Sequence, residues 1–206
     1  MKKIKILCLS DIHNNNQFLR SLNNHLAKQK YDLVLCAGDV VSRPNKNGME
    51  FLKNFIDLIT NLHQIKLFMV HGNNETGEMI DLIRKKNVLI HLKVKRFRGH
   101  KFFGIGGWME DIPEITNLKS KISNTILLTH LPPKRVQPIS TNFNKSQPIS
   151  DGPIIHLCGH LHAPGMIWKI GKILVIKIPT AMYGEAAVLE MPGRNIKFIK
   201  FEKSSF

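Results

Sequence analysis

The sequence predicts an α/β fold with two packed β-sheets, and two patterns in the chain support this prediction. In the first half, short apolar runs alternate with helical patterns, which indicates parallel strands joined by right-handed helical crossovers. In the second half, strand candidates follow one another with few helical patterns between them, which indicates a second sheet of mixed or antiparallel pairing. No linker rich in Gly, Ser or Pro separates the halves, so residues 1–206 are predicted to form a single domain.

The first half consists of three strand–helix pairs. Runs rich in Leu and β-branched residues predict strands at 3–9, 32–37 and 66–70. The helical patterns that follow them predict helices at 16–29, 48–62 and 77–86. In the first of these helices, Phe18, Leu22 and Leu26 recur at the spacing that places apolar side chains on one face.

The second half is a series of short strands separated by Gly or Pro. The predicted strands are 88–92, 94–98, 101–105, 124–129, 153–158, 166–170, 173–178, 185–190 and 195–201. Residues 131–152 contain four prolines and no helical period, so they are predicted to be a functional flap or a disordered segment.

The chain is strongly basic, with 30 Lys and Arg against 15 Asp and Glu and a net charge of +15. A basic surface attracts polyanions, so nucleic acid is one possible partner. Most of the basic residues are lysines spread along the chain without aromatic residues interleaved for base stacking. Steering of phosphate esters, or a merely solvated basic face, is therefore favoured over nucleic-acid binding.

The sequence favours a cytoplasmic location. No apolar run approaches the roughly 20 residues that a membrane helix needs. The basic N-terminus leads into an apolar stretch that is too short for a signal peptide. Cys8, Cys36 and Cys158 lie in apolar runs without CxxC spacing, which predicts buried free thiols in a reducing compartment.

Polar motifs follow five of the predicted strands. They are Asp11-Ile12-His13, Gly38-Asp39, the run from Gly72 to Glu75, Thr129-His130 and the run from Gly159 to His162. Because residues beyond the carboxyl ends of neighbouring strands converge on one crevice, these loops are expected to lie together. The side chains brought together would be Asp11, His13, Asp39, Asn73, His130, His160 and His162.

This donor set suits divalent metals such as Mn²⁺, Fe²⁺ or Zn²⁺, and seven ligands favour two ions over one. Two ions need a shared ligand, and Asp39 is the natural bridge because a carboxylate can bridge where an imidazole cannot. Alternation along an extended segment would let His160 and His162 serve different ions. Each motif alone is weak, since Gly-Asp after a strand is commonly a turn. The ordered recurrence of five such motifs at strand ends argues against coincidence.

The ordered set resembles the calcineurin-like metallophosphoesterase superfamily, whose signature runs Asp-x-His, Gly-Asp, Gly-Asn-His-Asp/Glu, a lone His and Gly-His-x-His. Further segments resemble the small Icc-related prokaryotic branch, namely 104–107, 129–133, 178–180 and 184–185. The resemblance implies a four-layer α-β-β-α sandwich, in which two packed mixed β-sheets are flanked by helices.

The resemblance also implies a ligand set and a reaction. One ion would take Asp11, His13, Asp39 and His162, and the other would take Asp39, Asn73, His130 and His160. Manganese is favoured for both positions, with iron, zinc or nickel as alternatives. The implied reaction is attack on phosphorus by a hydroxide that bridges the two ions.

One position departs from the family signature. Asn74 stands where relatives carry a histidine thought to protonate the leaving oxygen, and an amide cannot transfer a proton usefully. His71, adjacent in sequence, is a weak substitute because strand alternation should point it away. Lys134 and Arg135 are candidates for phosphate contact only. Asn14 could bind substrate phosphate, although Asn14–Asn16 is more readily interpreted as a helix N-cap.

The leading hypothesis is therefore a metal-dependent phosphodiesterase acting on small phosphodiesters, including nucleotide esters. A phosphomonoesterase with the same two metals is the main alternative, and a nuclease is a third. A non-catalytic scaffold with the same fold would be expected to show eroded ligands, whereas all seven positions are intact here. A small phosphate ester is the expected partner, no membrane is expected, and a homo-oligomer is left open.

Overall fold

The computed structural model describes residues 2–43, 47–107, 119–133 and 153–202. The first β-sheet contains β1 (Ile4–Leu9), β2 (Leu33–Cys36), β3 (Lys66–Met69), β10 (Glu185–Met191) and β11 (Asn195–Lys200). The second contains β4 (Val94–Phe97), β5 (His100–Ile105), β6 (Ile126–Thr129), β7 (Ile155–Cys158), β8 (Met166–Ile170) and β9 (Ile173–Lys177). The helices are α1 (Asn16–Lys28), α2 (Gly48–Asp57) with a π-helical turn (Leu58–Leu62), α3 (Gly77–Lys85) and α4 (Lys119–Ile122).

The first sheet has the strand order β11-β10-β1-β2-β3. Its centre is parallel, as the strand–helix alternation predicts, and β10 pairs antiparallel with both β1 and β11. Helices α1, α2 and α3 cover one face, where Phe18, Phe55 and Ile83 pack on apolar side chains of the sheet. Helix α1 begins after Asn15, whose Oδ1 accepts a hydrogen bond from the Phe18 N–H at 2.9 Å. The N-cap interpretation of Asn14–Asn16 is thus confirmed at Asn15.

The second sheet has the strand order β4-β5-β6-β7-β9-β8. Strands β5, β6, β7 and β9 are parallel, whereas β4 and β8 pair antiparallel at the two edges. On its outer face, α4 contributes Ile122 to a cluster with Phe103 and Leu127. The mixed pairing predicted for this sheet is confirmed.

The two sheets pack face to face through a continuous apolar core. Alternate side chains of β1, β2 and β3 contribute Ile6, Leu35 and Phe68, while Phe102 and Leu128 come from the second sheet. All five side chains are buried. The removal of their apolar surface from water makes the largest favourable contribution to folding at this interface. The predicted sandwich of two mixed β-sheets flanked by helices is therefore confirmed, and it places the ends of β1, β2, β3, β6 and β7 along one edge.

Two predictions about strands are wrong. Residues 88–92 do not form a strand, because they connect the two sheets and make only one isolated bridge to each, Met69 with Leu89 and His91 with Gly104. Strands β10 and β11 belong to the first sheet and not the second, since β10 pairs with β1 along its length. Of the predicted loop 131–152, residues 134–152 lie outside the described residues. Among the helices of the described ranges, none has the length and apolarity to cross a membrane.

Candidate metal centre

Backbone hydrogen bonds join the loop after β1 to the loop after β2. The N–H groups of Asp11 and Ile12 donate to the carbonyls of Gly38 and Asp39 at 3.1 and 2.8 Å. Gly38 has φ +91°, and a Cβ at this position would lie 2.3 Å from the Gly72 nitrogen. Only glycine lets the loops after β2 and β3 approach this closely, and their approach places Asp39 beside the residues that follow Gly72.

Four of the seven predicted metal ligands have left-handed backbone conformations. The φ angles are 57° for Asp11, 52° for His13, 52° for Asp39 and 69° for His160. Non-glycine residues seldom adopt positive φ because Cβ then lies close to the following carbonyl oxygen. Such strain persists where surrounding contacts fix the loop, and it concentrates at functional sites. Here the positive φ angles turn the side chains of separate loops toward one another.

The first group of possible metal-binding side chains is Asp11, His13 and His162, whose nearest donor atoms lie within 4.8 Å of one another. The Nε2 atoms of His13 and His162 are 2.9 Å apart. Asp11 Oδ1 lies 3.9 Å from the first Nε2 and 3.7 Å from the second. This oxygen is buried and has no hydrogen-bond donor among the described residues. A buried carboxylate oxygen without a donor, beside two imidazole nitrogens, suits a divalent cation.

The second group is Asp39, His130 and His160, again with donor atoms within 4.8 Å of one another. Asn73 Oδ1 lies 2.8 Å from His130 Nε2 and 3.0 Å from His160 Nδ1. His130 Nδ1 lies 2.8 Å from the Ala37 carbonyl, to which it donates in the tautomer that leaves Nε2 as a lone-pair donor. This group therefore offers two imidazoles, a carboxylate and an amide oxygen to one point.

Asp39 lies between the two groups. Its Oδ2 is 3.9 Å from His13 Nε2 in the first group and 3.6 Å from His130 Nε2 in the second. One carboxylate oxygen thus faces both groups, which is the position that a bridging ligand requires. Burial lowers the pKa of His13, although Asp39 and Asp11 oppose this effect. The neutral imidazole, which is the form that binds metal, is favoured.

Asn74 contacts Asp39 directly. Its backbone N–H donates to Asp39 Oδ1 at 2.9 Å, and its side-chain amide donates to Oδ2 at 2.6 Å. Asn74 thus holds both oxygens of the central carboxylate. Arg43 fixes the same loop, because its guanidinium donates to the carbonyls of Asn74 and Glu75 at 2.9 and 3.2 Å.

Glu75 is a buried carboxylate that joins the loops after β2 and β3. Its Oε2 accepts from the N–H groups of Asp39 and Gly72, and its Oε1 accepts from those of Val40 and Val41. Burial raises the pKa of Glu75, and the Asp39 carboxylate raises it further, whereas the N–H donors of Gly72 and Val40 lower it. The side chain therefore fixes the backbone on which Asp39 is carried.

Glu75→Gln is expected to lower both stability and metal affinity. A glutamine has the same shape, but its NH₂ group would face two of the backbone N–H donors whichever way the amide is turned. Losing acceptors for buried donors costs about 2–4 kcal/mol of unfolding free energy. The measurements are denaturant unfolding and Mn²⁺ titration. Glu78→Gln, an exposed change in the first turn of α3, is the matched control. Wild-type stability and affinity in Glu75→Gln would show that the carboxylate is not needed.

The structure brings together all seven side chains that the sequence assigns to metal binding. Asn14 lies in the same loop, but its Oδ1 accepts from the Ser42 N–H at 2.6 Å, so a contact with substrate stays a prediction. His71 is buried beside Gly106 and 4.9 Å from the His91 ring. Lys134 and Arg135 lie outside the described residues.

Two supporting residues, Arg43 and Lys177, were missed by sequence reasoning. Lys177 in β9 is only 1% exposed, and its ammonium donates to the carbonyls of Ala163 and Pro164, directly after His162. Burial lowers the pKa of this lysine. For Lys177, the signal in the sequence was a single lysine at the end of an otherwise apolar strand, a position where an unpaired charge is costly if it is buried.

Comparison with known proteins places the chain among phosphoesterases. The family model of the calcineurin-like phosphoesterases matches residues 4–164, which is most of the chain. The uncharacterised protein MJ1162 of Methanocaldococcus jannaschii is 24% identical over 202 residues, covering 85% of this chain and 88% of MJ1162.

Similar solved structures include TT1561 of Thermus thermophilus, with a TM-score of 0.73, 14% identity and coverage of 97% of this chain and 99% of that one. A novel archaeal phosphodiesterase has a TM-score of 0.62 and 15% identity, covering 96% of this chain and 100% of that one. At such identities these structures show a shared fold. Together with the match over residues 4–164, the five polar loops and the sandwich of two mixed sheets lead to one conclusion: the chain belongs to the calcineurin-like phosphoesterase family.

Proposed function

We propose that the protein is a phosphodiesterase that uses two divalent metal ions to hydrolyse small phosphodiesters. Membership of the family supports a metal-dependent phosphoesterase. The observation that carries the finer proposal is the position of Asp39 Oδ2, within 4 Å of an imidazole nitrogen of each group. The proposed ligands come from both halves of the chain, from Asp11 to His162, which supports the proposal that residues 1–206 form one domain.

The proposed ligands divide as the two groups do. Asp11, His13 and His162 would bind one ion, Asn73, His130 and His160 would bind the other, and Asp39 would bind both. Two bound divalent ions lower the pKa of water toward neutrality and neutralise charge on the phosphate oxygens. Because imidazoles dominate the donor set, Mn²⁺, Fe, Zn²⁺ or Ni²⁺ fits better than Ca²⁺ or Mg²⁺, and Mn²⁺ is the proposed ion.

Diesters are favoured over monoesters because of Asn74. Its amide donates a hydrogen bond to Asp39, and an amide N–H is not acidic enough to protonate a leaving oxygen. General acid catalysis contributes about 10²–10⁴-fold where it operates. Substrates whose leaving groups need no protonation are therefore the expected ones. The archaeal phosphodiesterase of similar fold supports the same choice.

The test is hydrolysis of bis(p-nitrophenyl) phosphate and p-nitrophenyl phosphate by the Mn²⁺-loaded protein. We expect the diester to be cleaved faster, the activity to disappear with chelator, and Mn²⁺ to restore it, because the two ions supply the charge that binds phosphate. Mn²⁺ without protein is the control. Preference for the monoester would replace the proposal with a phosphomonoesterase, and activity unaffected by chelator would remove the metals from it.

A further inference from the structure

A polar cleft lies at the start of β5, away from the candidate metal centre. Its volume is about 240 Å³, and its described lining is Arg96, Gly99, His100, Lys101, Ser123, Asn124, Ile126 and Ile154. Ser123 and Asn124 precede β6, and Ile154 precedes β7. His130 follows β6 at its other end, four residues beyond Ile126 of the lining, which is about 13 Å at roughly 3.3 Å per residue. The cleft and the metal centre thus occupy opposite ends of the same strands and share no residue.

The described lining of the cleft is positively charged and contains no carboxylate. Arg96 on β4 and Lys101 on β5 are directly opposite each other across the antiparallel pair. Like charges directly opposite each other repel, and an anion bound between or beside them would offset that repulsion. Desolvation lowers the pKa of Lys101, and the charge of Arg96 lowers it further. Among the described residues, Arg96 makes no hydrogen bond or ion pair.

The surroundings of the cleft add to the positive charge. Residues 93–101 contain five Lys and Arg residues and no acidic residue. Arg98 forms an ion pair with Asp32, which offsets one of these charges. The Lys2 N–H donates to the Arg98 carbonyl, and His100 Nε2 lies 2.7 Å from the Lys2 carbonyl, so the basic N-terminal segment lies against the hairpin.

The form of the cleft is compatible with a small anion. Lys101 Nζ donates to the Ser123 carbonyl at 3.1 Å, which holds the ammonium at the wall of the cleft. The hydroxyl of Ser123 and the amide of Asn124 are further groups able to donate to an anion. The volume is below the roughly 300–1,000 Å³ typical of sites for drug-sized ligands. A phosphate group fits this space and charge better than a whole dinucleotide.

We propose that this cleft is an anion site that binds a phosphate group, either as free phosphate or on a small phosphate monoester, through Arg96 and Lys101. The guanidinium offers paired N–H donors matched to phosphate oxygens, and the ammonium contributes a point charge. Binding here would also relieve the repulsion between the two cations. The site does not depend on the proposed metal-dependent hydrolysis.

The test is an NMR titration of the full chain, stripped of metal and dialysed free of chelator, with inorganic phosphate and with AMP. We expect saturable shifts of the amides of Gly99, His100 and Asn124, separate from any shifts of residues 11–14. Tighter binding of inorganic phosphate than of AMP would identify free phosphate as the ligand, and equal or tighter binding of AMP would identify a monoester. The double variant R96Q/K101Q should weaken binding at least tenfold, because both charges are removed while the hairpin backbone is kept.

Lys169→Gln on the exposed edge strand β8 is the matched control, since it removes a positive charge far from the cleft in sequence. Phosphate binding by this control should equal that of the wild-type protein. The proposal is overturned if the shifts rise without saturation, if Lys169→Gln weakens binding as much as the double variant, or if affinity requires an oligonucleotide and grows with its length. The folded state of R96Q/K101Q is checked by the unchanged amide spectrum of the remaining residues.

Discussion

Asp39→Ala is expected to abolish metal loading and turnover together. Asp39 Oδ2 lies 3.9 Å from His13 Nε2 and 3.6 Å from His130 Nε2, so its loss removes a ligand from both proposed metal positions. Two ions contribute several kcal/mol to stabilising charge on phosphate, and each 1.36 kcal/mol is a factor of ten in rate. We therefore expect hydrolysis of bis(p-nitrophenyl) phosphate to fall by at least about 10³-fold. Mn²⁺ content after dialysis and initial rates measure the two effects.

Two further variants separate the loss of the metals from a general loss of folding. Asp39→Asn keeps the shape of the side chain and an oxygen that can accept from Asn74, but it removes the charge needed to bridge two cations. Asp81→Ala removes an exposed carboxylate that pairs with Arg84 on the surface of α3, and it should leave metal content and rate unchanged. Full activity in Asp39→Ala would exclude Asp39 from the bridging position.

The convergence of the site residues could be predicted because it depends on local patterns. The alternation of strands and helices up to α3 gives parallel pairing of β1, β2 and β3, and parallel strands end at one edge. The positions of Asp11 and Asp39 directly after β1 and β2 therefore implied their proximity. The resemblance to the family then assigned each residue to a metal, and the two groups in the structure divide in the same way.

The strand order of the second half could not be predicted from local patterns. Strand β10 joins β1 because the 3₁₀ turn Ala181–Tyr183 carries the chain from one sheet to the other, where the N–H groups of Ala181 and Met182 donate to the carbonyls of Ser10 and Asp11. Residues 88–92 have the composition of a strand, but they cross between the sheets and cannot pair along their length with either. Both features depend on contacts between residues distant in sequence.

The contacts that support the site could not be predicted from the sequence either. Glu75 accepts from four backbone N–H groups, and backbone groups have no signature in the sequence. The hydrogen bond from Asn74 to Asp39 depends on the close approach of two loops, which in turn requires Gly38 at φ +91°. Sequence reasoning identified Asn74 as a departure from the family signature, and the structure adds what this side chain contacts.

Asn74→His is expected to increase the turnover of phosphodiesters that have poor leaving groups. An imidazole at this position can transfer a proton near neutral pH, whereas the amide cannot. For a dinucleotide, whose leaving group is an alkoxide, we expect a gain of about 10²-fold, the lower limit of general acid catalysis. For bis(p-nitrophenyl) phosphate we expect little gain, because p-nitrophenolate leaves without a proton. The measurement is kcat for both substrates in wild-type and variant proteins.

Asn74→Ala is the matched variant, because it removes the 2.6 Å hydrogen bond to Asp39 Oδ2 without adding a proton donor. The change in kcat that Asn74→Ala causes with bis(p-nitrophenyl) phosphate measures how far the amide positions Asp39. The ratio of the kcat of Asn74→His to that of Asn74→Ala, measured with the dinucleotide, isolates the contribution of proton transfer. If the histidine acts as the acid, kcat for the dinucleotide should also fall as pH rises through the pKa of its imidazole. Equal kcat for the two variants on the dinucleotide, with no such fall, would mean that another group already protonates the leaving oxygen and that Asn74 serves only to hold Asp39.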